Sequence, residues 1–331
     1  MSRASVLVAR NVFAETVDRL ARHFEVDGNP EDHIFTPAEL SARLKGKAGA
    51  VITGSERIDA ALLAANPQLR AVCNMAVGYN NIDLDACNAH GVLATNTPDV
   101  LTETTADFGF ALMMATARRI AEGEHFLRRG EWTRWSYDML TGSDVHGATL
   151  AILGMGRIGQ AIARRGALGF GMKVIYHNRS RLAPEHEAPI GASYVSKAEL
   201  LRDADHLVLV LPYSAASRHA IGAAELAQMK PSATLTNVAR GGIVDDAALA
   251  VALRERRIAA AGLDVFEGEP KVHPDLLTLP NVVLTPHIAS ATVATRRAMA
   301  ELAADNLIAA LTGAAPPTPV NPQVLPLRLA P

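Results

Sequence analysis

Three short segments in the last third of the chain carry the residues best suited to do chemistry. They are Asn237-Val-Ala-Arg-Gly-Gly242, Asp264-Val-Phe-Glu-Gly-Glu-Pro270 and Thr285-Pro-His-Ile-Ala-Ser290. Each sets a charged or titratable side chain beside Gly or Pro, the pattern of a strand end entering a turn. Arginine stays charged and its planar fork matches a carboxylate, so Arg240, beside Gly241 and Gly242, suits an anion clamp that also polarises a neighbouring carbonyl. Adding hydride to a ketone leaves an alkoxide that needs a proton. Histidine is the donor best matched to neutral pH, and His287 follows Pro286, which restricts its approach. Glu269 is the natural carboxylate to orient His287 and favour its protonated form. At successive strand ends of an α/β sheet these groups can converge in one crevice. Together they are equipment for reducing a keto acid.

A second constellation points to a dinucleotide. The apolar run Ala148–Leu153 leads directly into Gly154-Met-Gly-Arg-Ile-Gly159, and a helical segment from Gln160 to Leu168 follows. A lone GxGxxG is weak evidence, but strand, fingerprint and helix in this order are strong. Gly154 permits the tight turn, Gly156 lets the backbone approach a pyrophosphate, and Gly159 lets helix and strand pack closely. The helix N-terminus then offers free N–H groups and partial positive charge to the phosphates. At the end of the next strand an NAD-binding domain normally has an acid for the ribose hydroxyls. Here the sequence is Tyr176-His-Asn-Arg-Ser-Arg181, without an acid and with Arg179 and Arg181 flanking Ser180. Arginines suit a 2′-phosphate, so NADP is favoured and NAD remains an option. His177 is a further candidate cofactor contact.

The elements that must position these groups alternate along 331 residues, a length that suits two domains with a substantial core. Strands are expected at Ser5–Ala9, Gly49–Thr53, Arg70–Asn74 and Gly91–Ala94, with helices between them. Thr36-Pro-Ala-Glu39 combines a capping box with proline at the first helical position. A long helix is expected over Leu101–Ala121, then an irregular stretch, Gly123–Gly147, holding Trp132 and Trp135. A structureless stretch of roughly 25 residues is unusual inside a compact domain, which suggests an arm over a partner subunit or a loop folded on its own domain. A second series predicts strands at Ala148–Leu153, Lys173–His177, His206–Leu211, Thr234–Val238, Ala260–Asp264 and Val282–Leu284. A last helix, Ala291–Leu311, precedes the proline-rich tail Gly313–Pro331, expected to lie as an extended strap or to fray. Alternation of this kind predicts an α/β fold with mainly parallel sheets.

Composition narrows the classes. Hydrophobic residues make up 49% and charged residues 20%, ordinary for a soluble globular chain. A formal net charge of −2 gives no reason to expect nucleic acid or an acidic membrane surface as partner. Cys73 and Cys87 lack metal-ligand spacing and are too few for a disulfide framework, and no metal site is expected. The opening apolar run is too short for a signal peptide, and no stretch reaches the roughly 20 apolar residues of a membrane helix, so a cytoplasmic protein is expected.

With the glycine turn, Val238–Gly242, Gly262–Pro270 and Thr285–Ser290 in this order, the chain resembles the D-isomer-specific 2-hydroxyacid dehydrogenases over nearly its whole length. Within them it is similar to the NADP-preferring glyoxylate/hydroxypyruvate and 2-ketogluconate reductases. The resemblance implies two Rossmann-like doubly wound parallel-sheet domains. A discontinuous substrate domain would comprise residues 1–99 and 288–331, and an NAD(P)-binding domain residues 100–287. It implies that Arg240, Glu269 and His287 are substrate clamp, tuning carboxylate and proton donor. It also implies substrate contacts from the backbone of Val77 and Gly78 and from Ser290. Gly154, Gly156, Arg157, Ile158, Gly159 and the stretch Asn178–Arg181 match cofactor positions. Val238 and Asp264 match positions near the nicotinamide. A small 2-keto acid substrate and a homodimer are implied. The rival expectations are an NAD-linked phosphoglycerate dehydrogenase and, from another class, a cofactor-sensing corepressor-like module.

Overall fold

The computed structural model describes residues 3–325, so the last six residues of the tail lie outside the described residues. The chain divides into two compact units. Unit 1 comprises Met1–Leu101 with Thr292–Pro331, and unit 2 comprises Thr102–Ala291.

Unit 1 is built on five parallel strands: β1 (Ser5–Val8), β2 (Glu25–Asp27), β3 (Gly49–Ile52), β4 (Ala71–Asn74) and β5 (Leu93–Thr95). Their order in the sheet is β2-β1-β3-β4-β5, a doubly wound arrangement of the flavodoxin type. Strands β3, β4 and β5 are buried along their whole length, as expected for a parallel sheet covered on both faces. On one face lie Leu40, Leu62 and Leu63 from the helices between strands. On the other lie Leu20, Ala303 and Leu307, the last two from the helix Val293–Thr312. Leu307 leans so closely on Gly49 that a β-carbon there would lie 2.6 Å from its Cδ1. The capping box forms as expected: Thr36 accepts from the Glu39 N–H, and the Glu39 carboxylate accepts from the Thr36 N–H.

Unit 2 carries seven parallel strands: β6 (Thr149–Leu153), β7 (Lys173–His177), β8 (Ser193–Tyr194), β9 (His206–Leu209), β10 (Thr234–Asn237), β11 (Ala260–Leu263) and β12 (Val282–Leu284). The order β12-β11-β10-β9-β6-β7-β8 extends the dinucleotide-binding arrangement by one strand, with its switch point between β6 and β9. The helix Thr102–Ala117 crosses the sheet closely because glycines let it in. A β-carbon on Gly262 would lie 2.4 Å from Thr116 Oγ1, and one on Gly109 3.3 Å from Val238.

The single helix expected over Leu101–Ala121 is two. It stops at Ala117, whose carbonyl accepts the Ser143 N–H at 2.9 Å. Arg119 then takes a left-handed backbone (φ 54°), and a new helix runs from Ile120 to Arg128. The irregular stretch therefore starts after Arg128, not at Gly123 as expected. Beyond it Trp132, Trp135 and Tyr137 stand exposed. Edge strands β2 and β8, short and partly exposed, had no counterpart in the expected elements. No helix among the described residues is long and apolar enough to cross a membrane.

Candidate active site

β10, β11 and β12 are neighbours, and each of the three reactive segments begins at the C-terminal end of one of them. Parallel strands end on the same edge, so Arg240, Glu269 and His287 emerge together. His287 Nδ1 lies 2.8 Å from Glu269 Oε2, which leaves Nε2 for a reacting group. The other Glu269 oxygen accepts the Phe266 N–H at 2.9 Å. Burial pushes the Glu269 carboxyl up, but the His287 hydrogen bond and charge outweigh it, and the group sits below the usual carboxylate range. It is an anion at neutral pH.

Asp264, matched in sequence to a position near the nicotinamide, is fully buried and holds the His287 loop. One of its oxygens accepts the Thr285 hydroxyl and the Ile288 N–H, both at 2.8 Å, and the other the Ala289 N–H at 2.9 Å. Burial raises its pKa, while these donors and the His287 charge oppose the rise. His287 itself has a left-handed backbone (φ 54°), fastened by its N–H to the Asp264 and Thr285 carbonyls. Ser290, three residues on, is partly exposed.

Arg240 lies in a turn organised by buried Asn237. Its Oδ1 accepts the Ala239 N–H, and its Nδ2 donates to the Arg240 carbonyl. The guanidinium donates to the Ala239 carbonyl at 2.7 Å. Enclosure pulls its pKa down, with the Glu269 charge acting against the fall, yet an arginine remains a cation. Gly241 rests directly on the Glu269 loop: a β-carbon there would lie 1.7 Å from the Phe266 carbonyl oxygen. The same loop is pinned on its far side, where the Glu267 N–H donates to Asp246 and its carboxylate meets His219 at 2.8 Å. Asn237, Asp246 and His219 were not among the expected site residues. The Asn before the arginine turn was the one available signal, since Asn favours such side-chain-to-backbone turns.

The glycine turn follows β6. Gly154 has φ 103°, and a β-carbon on it would lie 2.6 Å from the Leu211 N. A β-carbon on Gly159 would lie 2.4 Å from the Gly154 carbonyl oxygen, whereas at Gly156 nothing lies within 4 Å. The turn is thus closed against its own sheet and open where a ligand would approach. Gly156 caps the helix Arg157–Arg164, whose first residues are Arg157 and Ile158. First-turn N–H groups there have no partner within the helix. A pyrophosphate fits this cradle.

Of the β7-end residues, Asn178 accepts the Met155 N–H at 2.7 Å and so braces the turn. His177 is held by the Val195 carbonyl at 2.8 Å and stacks on Tyr194. Arg179 and Ser180 are exposed. Arg181 pairs with buried Glu187 at 2.7 Å, and the Tyr176 hydroxyl donates to the same carboxylate at 2.5 Å. These two donors hold the Glu187 carboxyl at about 2. Val238 is buried in the core under Gly109.

Val77 and Gly78 belong to unit 1, in the loop after β4. The Val77 carbonyl accepts Asn96 Nδ2 at 2.8 Å and the Gly78 carbonyl accepts Asn74 Nδ2 at 2.9 Å.

Residues 110–289 match the family model described as D-isomer specific 2-hydroxyacid dehydrogenase, NAD binding domain. A glyoxylate reductase of Thermococcus onnurineus is 48% identical over 98% of both chains, and one of Aeropyrum pernix is 47% identical over 99% of both. Among solved structures, an NADPH-dependent glyoxylate/hydroxypyruvate reductase from Sinorhizobium meliloti, in complex with NADP and malonate, superposes with a TM-score of 0.88. It is 36% identical, and each chain covers all of the other. Sequence, site and fold agree: the chain belongs to the D-isomer-specific 2-hydroxyacid dehydrogenases, oxidoreductases that act on the CH–OH group of their donors.

Proposed function

We propose that this enzyme reduces small 2-keto acids of the glyoxylate type to 2-hydroxy acids, with NADPH as the preferred reductant. Hydroxypyruvate and 2-ketogluconate share the same reacting end and belong to the proposed substrate range. The observation that carries the reading is the hydrogen-bonded His287–Glu269 pair beside Arg240 at three adjacent strand ends. The glyoxylate reductase names of the similar archaeal proteins support the substrate class.

In this mechanism Arg240 holds the substrate carboxylate and polarises the ketone oxygen. The N–H groups of Val77 and Gly78, and Ser290, are further proposed substrate contacts. His287 delivers a proton from Nε2 to the oxygen as negative charge develops there. Glu269, held as an anion, fixes the ring through Nδ1. A nicotinamide dinucleotide, when bound, supplies the hydride. Gly154, Gly156, Arg157, Ile158 and Gly159 would hold its pyrophosphate, and the stretch from His177 to Arg181 its adenosine ribose. Unit 2 serves as the cofactor domain and unit 1 as the substrate domain.

NADPH is preferred because the end of β7 presents Arg179 and no acid. A cofactor-oxidation assay with glyoxylate, hydroxypyruvate and 2-ketogluconate, run with NADPH and with NADH, tests both choices. A higher kcat/KM for NADH overturns the cofactor assignment, and no turnover of any of the three overturns the substrate class. We further propose a cytoplasmic homodimer to which the exposed Trp132, Trp135 and Tyr137 arm contributes. Sedimentation as a monomer at micromolar concentration refutes the dimer.

A further inference from the structure

The loop that follows β4 has an ordered inner edge. Three successive carbonyls turn into unit 1: Ala76 O accepts the Thr97 N–H at 3.0 Å, Val77 O accepts Asn96 Nδ2, and Gly78 O accepts Asn74 Nδ2. In a trans peptide the C=O and the next N–H point in opposite directions. Anchoring the Ala76 and Val77 carbonyls inward therefore aims the N–H groups of Val77 and Gly78 outward, as a small anion-binding nest. The aim of the nest depends on where Asn96 stands.

Asn96 is held by the chain's own tail. Thr318 donates its hydroxyl to the Asn96 carbonyl at 2.6 Å and accepts the Asn96 N–H at 3.3 Å through its carbonyl. Thr318 is in turn gripped at both ends of one side chain by Asn306, fully buried in the helix Val293–Thr312. Asn306 Oδ1 accepts the Thr318 N–H at 3.0 Å, and Asn306 Nδ2 donates to the Thr318 hydroxyl at 2.8 Å. The following residues fasten the strap along β5. Pro319 bridges Thr95, the Val320 N–H donates to the Ala94 carbonyl at 2.9 Å, and buried Asn321 accepts the Ala94 N–H at 2.8 Å. An unbroken hydrogen-bonded relay thus runs from Asn306 through Thr318 and Asn96 to the Val77 peptide.

We infer that Asn96, Thr318 and Asn306 are positioning residues for substrate binding, with the tail strap setting the orientation of the Val77–Gly78 nest. The inference rests on the proposed binding of the substrate carboxylate by that nest. A misaimed nest weakens a contact made equally to bound substrate and transition state, so KM rises while kcat holds. Losing neutral hydrogen bonds of this kind corresponds to a roughly two- to tenfold change.

The test uses the full-length enzyme and four variants: Thr318→Val, Thr318→Ser, Asn96→Ala and Val77→Pro. Steady-state KM and kcat for glyoxylate with NADPH, NADPH dissociation by nucleotide fluorescence, and Tm are measured for each. Thr318→Val keeps the shape and deletes the hydroxyl. It is expected to raise KM for glyoxylate about fivefold, with kcat within about twofold and NADPH affinity unchanged. Thr318→Ser, which keeps the hydroxyl, is expected to restore KM. Val77→Pro removes one nest N–H and examines the underlying reading by itself. If Val77→Pro leaves KM unchanged, the nest does not bind substrate and the inference falls with it. If Val77→Pro raises KM but Thr318→Val does not, the nest stands and the strap's role is refuted. Equal KM increases in Thr318→Val and Thr318→Ser also refute it, since the hydroxyl is then irrelevant. Should Thr318→Val fail to fold, Asn96→Ala, which leaves the strap's own bonds to Asn306 in place, decides by the same KM criterion.

Discussion

Replacing Gly241 by alanine is the sharpest single test of how the site is assembled. The new β-carbon would lie 1.7 Å from the Phe266 carbonyl oxygen, 2.2 Å from its carbon and 2.9 Å from the Glu267 nitrogen. All three are backbone atoms, so no side chain can swing away. Restoring even a 3.0 Å separation requires the Arg240 turn and the Glu269 loop to part by about 1.3 Å. Glu269 is tied to that loop by the Phe266 N–H at 2.9 Å and reaches His287 at 2.8 Å, so a shift of this size breaks one bond or the other. A 1 Å misplacement of reacting groups costs on the order of 10²-fold in rate, and overpacking costs about 1–3 kcal/mol of stability. The assay is kcat/KM for NADPH-dependent glyoxylate reduction, with NADPH affinity and Tm on the same samples. Expected are a roughly hundredfold fall in kcat/KM, equivalent to about 2.7 kcal/mol in the barrier, and near-normal NADPH binding. Gly268→Ala is the control: it lies in the same loop with φ 82° but has nothing within 4 Å of its β-carbon. It should show only backbone strain of about 1 kcal/mol in stability. A folded Gly241→Ala enzyme that keeps kcat/KM within about threefold refutes the reasoning, and so does a Gly268→Ala variant that loses equally much.

His287→Gln is expected to lower kcat by roughly 10²–10⁴-fold with NADPH affinity kept; turnover close to wild type rejects the proton-donor role. Glu269→Gln should reduce kcat, because the carboxylate that holds His287 Nδ1 is gone; kcat equal to wild type removes Glu269 from the positioning role. Arg179→Asp should shift the ratio of kcat/KM for NADPH over NADH toward NADH by about tenfold or more, and an unchanged ratio means that another group selects the cofactor. Glu187 is held at about 2, below its ordinary value near 4.5, by Arg181 and Tyr176. A depressed carboxyl contributes stability that is complete above pH 4.5 and is lost as pH falls toward 2. Acid unfolding of Glu187→Gln followed by circular dichroism should accordingly be less steep across that window, and a slope equal to wild type contradicts the pairing.

Much of this molecule was legible from residue pattern alone, and for a physical reason. Central parallel strands are buried on both faces, so β3, β4, β6 and β9 announce themselves as apolar runs. The edge strands β2 and β8 bury little and carry Glu25, Asp27 and Ser193, which leave no such run. The helix break at Ala117 was hidden because Ser143, 26 residues later, causes it. Within the site, Arg240, Glu269 and His287 were visible because their chemistry is local to short turns. What holds them was not. Asp264 acts through donors on the next strand's loop, His219 through a glutamate in the loop that follows β11, and Arg181 through a glutamate on a later helix. Those partnerships come from tertiary contact, and one sequence does not display them.

The left-handed backbone of His287 has an evolutionary meaning. Glycine occupies that conformation freely, while any residue with a β-carbon, histidine included, adopts it at some cost. Selection for folding alone would favour glycine there, which would remove the proton donor proposed above. Position 287 therefore stands where the interests of durability and of chemistry diverge. Thermal-stability screening of this enzyme without an activity filter should drift toward inactive glycine at this codon, and libraries built for robustness should hold it fixed.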